Sequence, residues 1–297
     1  WELLVRRHEV LRSVFLHKNT PEPVQVILKE RDIEFCFEDL TQFDEPRRVD
    51  ALETSFAREQ SKRFDLSCDP LMRIVVCKLG QASHEVFWIY HHIILDGWSL
   101  GVLQQEFWEI YQSRLSKRSA LLETPVPFSV YVKWLRSKGE RQAEAFWRTR
   151  LRDPLPMLPF EGVRREQTDA PFSRESFEKF MAPDLSRQAR SFAHSVKVSL
   201  NAVLHAVWAV SLRAVLGRSD IIFGETVSGR SPEIRGVERI VGLLINAIPV
   251  RISLQEEESF LDLVQRVQRD STEAESFHYA SLPQIRWRWG AEVPMVV

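Results

Sequence analysis

Residues able to do acid–base chemistry and to shape a reactive loop lie together in HHIILDGWS, residues 91–99. His91 and His92 end an apolar run, and Asp96 and Gly97 follow after three further apolar residues. An imidazole exchanges protons near neutral pH. Backbone amides at the start of a following helix could stabilise an oxyanion, and the carboxylate could organise the loop. Together, the imidazole, the backbone amides and the carboxylate predict a site for acyl transfer.

Two competing chemistries are less well supported by this segment. The sequence lacks GxSxG, and none of its three cysteines lies near the histidine pair, so no covalent nucleophile is placed. Direct attack by a bound amine or hydroxyl is the simpler reaction. The potential metal ligands here are His91, His92 and Asp96, and the intervening Ile-Ile-Leu does not suggest a helix that would align His92 with Asp96. No metal site is predicted.

The histidine pair needs a strand before it and a helix after it. Residues 85–91 read as a strand that forms a hairpin with residues 72–79. Because successive strand side chains point to opposite faces, one histidine would pack into protein while the other faces open space. Residues 99–115 have helical periodicity, and Ser99 is the predicted N-cap.

Apolar periodicity predicts the remaining elements. The predicted helices cover residues 3–14, 51–64, 130–150, 184–194, 200–216 and 259–275, and the predicted strands cover 24–28, 33–37, 175–181, 221–226 and 245–252. Since helices and strands mix without a regular βαβ rhythm, the predicted class is α+β. A proline-punctuated stretch predicts a linker at 153–174, between an N-terminal lobe at 1–152 and a C-terminal lobe at 175–297.

Composition limits the partners and the compartment. The formal net charge of −1 gives no reason to expect nucleic acid. Three scattered cysteines fit a reducing cytoplasm better than a disulfide framework. The longest apolar stretch, 203–216, contains His205 and Arg213 and is too short to span a bilayer, so no membrane partner is predicted. We expect the chain to be a fragment of a longer protein, incomplete at both ends.

HHIILDGWS resembles the HHxxxDG motif of the condensation domains of non-ribosomal peptide synthetases. Other motifs of that family follow in the family's order and at suitable distances. They are RHEVLRSVF at 7–15, VSGR at 227–230, VGLLINAIPVR at 241–251 and HYASLPQI at 278–285. FSVYVKW at 128–134 is a weaker match, because Val130 stands where the family motif has an acidic residue.

The resemblance implies two lobes, each similar to chloramphenicol acetyltransferase, that form a V with a central tunnel. Donor and acceptor carrier proteins would dock at opposite mouths of the tunnel, and an adenylation domain would be adjacent in the same polypeptide. The domain itself would bind no cofactor. Each carrier would present its substrate on a phosphopantetheine arm, and the acceptor's α-amine would attack the donor thioester to form a peptide bond.

The resemblance also implies roles for residues of the HHIILDG segment. His92 would be catalytic, either taking the proton of the amine or stabilising the tetrahedral intermediate. His91 would be structural. Asp96 would hold the loop through a salt bridge, with Arg230 as its partner. Gly97 would leave room for the reacting groups and offer its amide.

Further residues are expected to contact substrate in the tunnel. Asn246 stands where the family has an asparagine that reaches toward the tunnel, and Trp98 and Ser99 directly follow the glycine of the HHxxxDG motif. The forms DGWS and SLPQIRW favour an L-configured donor. Epimerising, cyclising and CoA-dependent relatives carry other motifs. Two alternatives stay open: a starter domain that uses a fatty acyl donor, and a catalytically inactive carrier-docking module of the same fold.

Overall fold

A computed structural model of the chain describes residues 1–18, 20–152 and 177–285. They divide into two compact units: unit 1 is formed by 1–137 with 230–245, and unit 2 by 138–229 with the part of the chain after residue 245. Both units contain helices and strands, so the predicted α+β class is confirmed. The predicted linker at 153–174 lies outside the described residues, and the predicted division into lobes at 1–152 and 175–297 stays a prediction.

Unit 1 contains two small sheets and four α-helices. Its helices are α1 (Glu2–Arg7), α2 (Glu45–Ser61), α3 (Gly97–Leu115) and α4 (Phe128–Ser137), and its strands are β1 (Ser13–Leu16), β2 (Val24–Ile27), β3 (Glu34–Asp39), β4 (Met72–Lys78) and β5 (His84–Tyr90). β1 pairs with β2 in an antiparallel manner, and the second sheet has the order β3-β4-β5. β4 and β5 form the predicted hairpin. β3 is parallel to β4, and α2 supplies the crossover that a parallel pair requires.

Three parts of unit 1 differ from the sequence predictions. The predicted first helix ends early: α1 is followed by a 3₁₀ turn (Glu9–Arg12), and β1 is a strand because it pairs with β2. The predicted helix at 130–150 is instead α4 and a separate helix that begins after Gly139. The strand predicted at 85–91 ends at Tyr90. Pairing partners that are distant in sequence decide the first difference, and local periodicity does not contain them.

Unit 2 packs helices on a two-stranded antiparallel sheet. Its elements are α5 (Glu140–Arg150), α6 (Pro183–Ser195), α7 (Leu200–Leu216), α8 (Phe260–Glu275), β6 (Asp220–Val227) and β7 (Asn246–Ser253). The side chain of Ser199 caps α7, and Gly217 ends it with a φ of 64°, a conformation that glycine adopts without steric cost. The strand predicted at 175–181 is not formed over residues 177–181, which pair with no described strand.

The core of unit 1 lies beneath the histidine segment. α1, the 3₁₀ turn and α3 bury their apolar faces against it together with Leu71, Ile94, Leu95 and Val241. Within the described residues no single helix is long and apolar enough to cross a membrane. Of the described helices, only α6 and α7 taken together have the length and apolar composition of a membrane span, and their axes meet at a bend of 111°.

Candidate active site

β5 ends at Tyr90, and His91 begins the loop that leads to α3. His91 is half-buried, and its Nδ1 accepts a hydrogen bond from the backbone N–H of Ile93 at 3.1 Å. Its ring meets Phe64 edge-on, with 6.1 Å between centroids. Burial first, and the charge of His92 second, lower the pKa of His91 below its ordinary 6.5. Both effects favour the neutral ring, and because its Nδ1 accepts a hydrogen bond, the neutral ring carries its proton on Nε2.

His92 has a different environment. It is exposed, it lies in the turn at 92–94, and its ring makes no hydrogen bond to the part of the chain that the structure describes. The loop ends at Gly97, where an added Cβ would have no atom within 4 Å. The loop thus presents one free imidazole and one sterically open backbone position.

Asp96 anchors this loop to unit 1. It is 1% exposed, and it is the N-cap of α3: its Oδ1 accepts a hydrogen bond from the backbone N–H of Ser99 at 2.8 Å. The prediction that Ser99 is the N-cap is therefore wrong, because the helix starts earlier, at Gly97. The second oxygen of Asp96 accepts a hydrogen bond from the N–H of Leu244 at 3.1 Å. One carboxylate therefore joins α3 to the segment at 240–245.

The ion pair expected between Asp96 and Arg230 is present. The Nη2 atom of Arg230 lies 3.1 Å and 3.3 Å from the two carboxylate oxygens. The Arg230 side chain is 6% exposed and the Asp96 side chain is 0% exposed. Nη1 donates to the backbone oxygens of Val237 and Ile240 at 2.6 and 2.9 Å. The charges are thus both neutralised and hydrogen-bonded, which offsets much of the cost of burying them.

Ser99 belongs to this anchor. Its side chain is completely buried. Its hydroxyl donates to the backbone oxygen of Gly242 at 2.8 Å and accepts from the N–H of Gly242 at 3.0 Å and from Arg230 at 3.2 Å. The hydroxyl is therefore enclosed by protein and makes three hydrogen bonds, and contact between Ser99 and substrate stays a prediction.

The surroundings of Gly242 explain why the VGLL stretch has a glycine at this position. Its backbone oxygen also accepts a hydrogen bond from the N–H of Asp96 at 3.2 Å. A Cβ at this position would overlap the ring of Phe128, the first residue of α4. Glycine is therefore required here by the close approach of an aromatic ring, and the sequence pattern gave no sign of that partner.

Trp98 and Tyr131 are both close to the ion pair, but their environments differ. Trp98 is 57% exposed, its indole N–H donates to the backbone oxygen of Glu238 at 2.8 Å, and its ring centre lies 5.5 Å from the guanidinium carbon of Arg230. Tyr131 is buried, and its hydroxyl donates to the backbone oxygen of Leu244 at 3.4 Å. Burial raises the pKa of Tyr131 to about 12; the charge of Arg230 opposes this shift and the Asp96 carboxylate adds to it.

An open groove of about 1000 Å³ runs along α3 in unit 1. From α3 it is lined by Gly97, Trp98 and Trp108, and Leu121 and Arg239 also line it. Trp98 is therefore accessible from solvent, and its contact with substrate stays a prediction.

Asn246, in unit 2, is engaged in holding a turn. Its Nδ2 donates to the backbone oxygens of His278 and Ala280 at 2.8 and 2.7 Å, and its Oδ1 accepts from the N–H of Ala247 at 2.9 Å. These bonds fix the start of HYASLPQI to β7, a role that the sequence did not suggest. Contact between Asn246 and substrate stays a prediction.

The sequence model of the condensation-domain family matches residues 1–290 of the chain. The chain belongs to the condensation-domain family. The resemblance drawn from the motifs is thereby confirmed. Among curated relatives, gramicidin S synthase 2 of Brevibacillus brevis is 31% identical over 284 residues, which is 96% of this chain and 6% of that protein. The chain thus spans a small fraction of the length of such relatives.

Solved condensation-domain structures share the fold. The first condensation domain of the calcium-dependent antibiotic synthetase, in complex with a substrate analogue, matches 99% of this chain and 69% of its own with a TM-score of 0.71 at 18% identity. The cyclization-docking bidomain EpoB of Sorangium cellulosum matches 97% and 58% with a TM-score of 0.78 at 20% identity. At these identities the match concerns the fold alone.

The RHEVLR motif of this condensation domain packs against α3. His8 is buried, and its Nε2 lies 2.7 Å from Glu106. Arg7 donates to both oxygens of the same carboxylate, at 2.9 and 3.2 Å. Burial raises the pKa of Glu106, but the hydrogen bonds from His8 and Arg7 outweigh it, so the pKa is lowered. These contacts hold the motif against α3.

The described residues of this condensation domain contain no group of three or more His, Cys, Asp or Glu side chains arranged to hold a metal ion. Cys77 is buried, whereas Cys36 is exposed on β3. β3 is an edge strand in the described sheet, which leaves Cys36 accessible.

Proposed function

We propose that this chain forms an amide bond between a donor acyl thioester and the α-amine of an acceptor aminoacyl thioester. Both substrates would be carried on the phosphopantetheine arms of carrier proteins, beside an adenylation domain of the same cytoplasmic synthetase. Membership of the condensation-domain family and similarity to gramicidin S synthase 2 support this reaction.

The contrast between the two adjacent histidines carries the assignment of the catalytic group. The Nδ1 of His91 is engaged with Ile93 and its ring packs on Phe64, whereas the ring of His92 is exposed and free of hydrogen bonds to the described chain. A general base must reach a proton on its substrate, and only an accessible imidazole can do so. His92 is therefore the proposed base.

In the proposed step the acceptor amine attacks the thioester carbonyl, and the new C–N bond forms while the C–S bond breaks. His92 takes the proton that the amine loses and returns it to the departing thiolate, so one amide and one thiol result. Gly97 leaves space for the reacting groups, and its amide, at the start of α3, can face the developing oxyanion. Asp96 and Arg230 keep the loop in place.

The test is the rate of amide formation by the full-length protein with loaded donor and acceptor carriers. His92→Ala is compared with wild type and with His17→Ala, another exposed histidine of unit 1. We expect His92→Ala to lower the rate by at least about 100-fold. Its urea unfolding midpoint should stay unchanged, since the ring makes no hydrogen bond to the described chain. His17→Ala should change neither quantity.

The outcomes separate the proposal from its alternatives. Equal rates for wild type and His92→Ala would overturn the role of His92. Absence of product from wild type with verified carriers would overturn condensation and favour the inactive docking module. Product from a fatty acyl donor but not from an aminoacyl donor would identify a starter domain. We propose an L-configured donor, so L-aminoacyl carriers should react faster than their D counterparts, and the reverse order would overturn that choice.

A further inference from the structure

We propose that Trp98 is a positioning residue that holds Arg230 against Asp96 from the solvent side. Two contacts fix its indole: the N–H donates to the backbone oxygen of Glu238 at 2.8 Å, and the ring centre lies 5.5 Å from the guanidinium carbon of Arg230. That distance is within the range of cation–π attraction. The inference deepens the proposed function and rests on it for its catalytic part.

Several other contacts of Arg230 come from groups that are themselves buried or backbone. Asp96 and Ser99 are at most 1% exposed, and Nη1 is bound by the backbone oxygens of Val237 and Ile240. Trp98, by contrast, is 57% exposed, yet the Arg230 side chain is only 6% exposed. An exposed indole thus lies beside an almost completely buried guanidinium, as a shield against solvent requires.

Covering the guanidinium in this way strengthens its attraction to Asp96. Charges interact more strongly when water is kept away, and dissolved salt screens a covered pair less. Trp98 also directly follows Gly97, so its bond to Glu238 ties the first turn of α3 to the segment that contains Arg230. Loss of the ring should loosen the Asp96 anchor and with it the loop that carries His92.

Two substitutions separate the contributions of ring and N–H. Trp98→Phe keeps an aromatic face over Arg230 and removes the hydrogen bond to Glu238, whereas Trp98→Leu removes both. Trp108 provides matched controls, because it lies on the same helix and groove and is 51% exposed, but its ring contacts are with Phe107 and Tyr111. Trp108→Phe and Trp108→Leu should reproduce any general effect of losing an exposed tryptophan from α3.

The first readout does not depend on activity. Hydrogen exchange of the Arg230 guanidinium with water is followed by ¹⁵N NMR, with the signal assigned through Arg230→Lys. We expect Trp98→Leu to accelerate exchange about fivefold, Trp98→Phe to have a smaller effect, and the Trp108 variants to have none. Unchanged exchange in Trp98→Leu, or equal acceleration in Trp108→Leu, would overturn the proposal.

The second readout is the split between kcat and KM in the full-length protein. A positioning role predicts that Trp98→Leu lowers kcat about fivefold with little change in KM, and that Trp98→Phe restores most of the loss. A raised KM with unchanged kcat would instead show substrate binding and overturn the positioning role. If wild type forms no product, the proposed function fails, while the exchange experiment still decides whether Trp98 protects Arg230.

Discussion

Asp96 and Arg230 are 134 positions apart in the chain, yet their side chains form an ion pair at 3.1 Å that is almost completely buried. Asp96 at the same time caps α3 and binds the N–H of Leu244. One carboxylate therefore fixes the end of the histidine loop, the start of a helix and a distant segment.

Removal of the Asp96 carboxylate should destabilise unit 1 strongly. Asp96→Ala leaves the buried Arg230 charge unpaired, and we expect a loss of about 3 kcal/mol in the free energy of unfolding. Asp44→Ala removes the N-cap of α2 at an exposed position and should cost about 1 kcal/mol. Urea unfolding of both variants measures the difference, and equal losses would show that Asp96 acts only as a cap.

Gly242 should not tolerate even one added methyl group. Gly242→Ala forces its Cβ into the ring of Phe128, and we expect a loss of about 2 kcal/mol. Gly101→Ala, inside α3 with no atom within 4 Å of the new Cβ, should instead stabilise by about 0.5–1 kcal/mol. Thermal unfolding distinguishes the two signs. Combining Gly242→Ala with Phe128→Ala should cost less than the sum of the single losses, and simple additivity would contradict the proposed overlap.

Loss of the Ser99 hydroxyl should cost more than loss of another buried serine hydroxyl on the same helix. Ser99→Ala removes partners of both the N–H and the carbonyl of Gly242, and we expect about 2 kcal/mol. Ser113 donates only to the oxygen of Ile110 within α3, so Ser113→Ala should cost about 0.5 kcal/mol. Chemical denaturation measures both, and a smaller loss at Ser99 would show that the Gly242 contacts are dispensable.

Unit 2 should lose stability in mild acid. Burial lowers the pKa of His205 and of His278 below the ordinary 6.5, with Glu225 partly opposing it in each case. The unfolded chain therefore binds more protons than the folded one as the pH falls through 6.5 toward the folded-state pKa values. Stability is complete above that window and decreases within it. His278→Gln should reduce the dependence of the unfolding free energy on pH between about 7.5 and 5.5.

The exposed His17 provides the control for this titration. His17→Gln should leave the pH dependence unchanged. The same slope in wild type and His278→Gln would contradict the contribution of the buried imidazole.

Local patterns in the sequence predicted much of the fold and part of the site. The apolar periodicity found α7 and α8, and alternating β-formers found the β4–β5 hairpin. The spacing in HHIILDGWS brought His92, Asp96 and Gly97 into one loop, and the motif order supplied Arg230 as the partner of Asp96.

Features that depend on distant partners outside the recognised motif pairs could not be predicted. β1 is a strand because β2 pairs with it, although its residues continue a helical stripe. Serine is a common N-cap residue, but here Asp96 is the N-cap and the Ser99 hydroxyl binds the backbone of Gly242. The overlap that excludes a side chain at Gly242 comes from Phe128, which no local pattern connects to it.

Unit 1 is discontinuous, since it is completed only by residues 230–245. During synthesis at roughly 5–20 residues per second, Asp96 leaves the ribosome about 7–27 s before Arg230 does. Throughout that interval the nascent chain contains Asp96 without Arg230. The ion pair that holds the loop with His92 can therefore form only after residues 138–229 of unit 2 have been made. The buried ion pair is thus completed only after residue 230 has been made, and a ribosome that stalls between residues 96 and 230 yields a chain that carries Asp96 without Arg230.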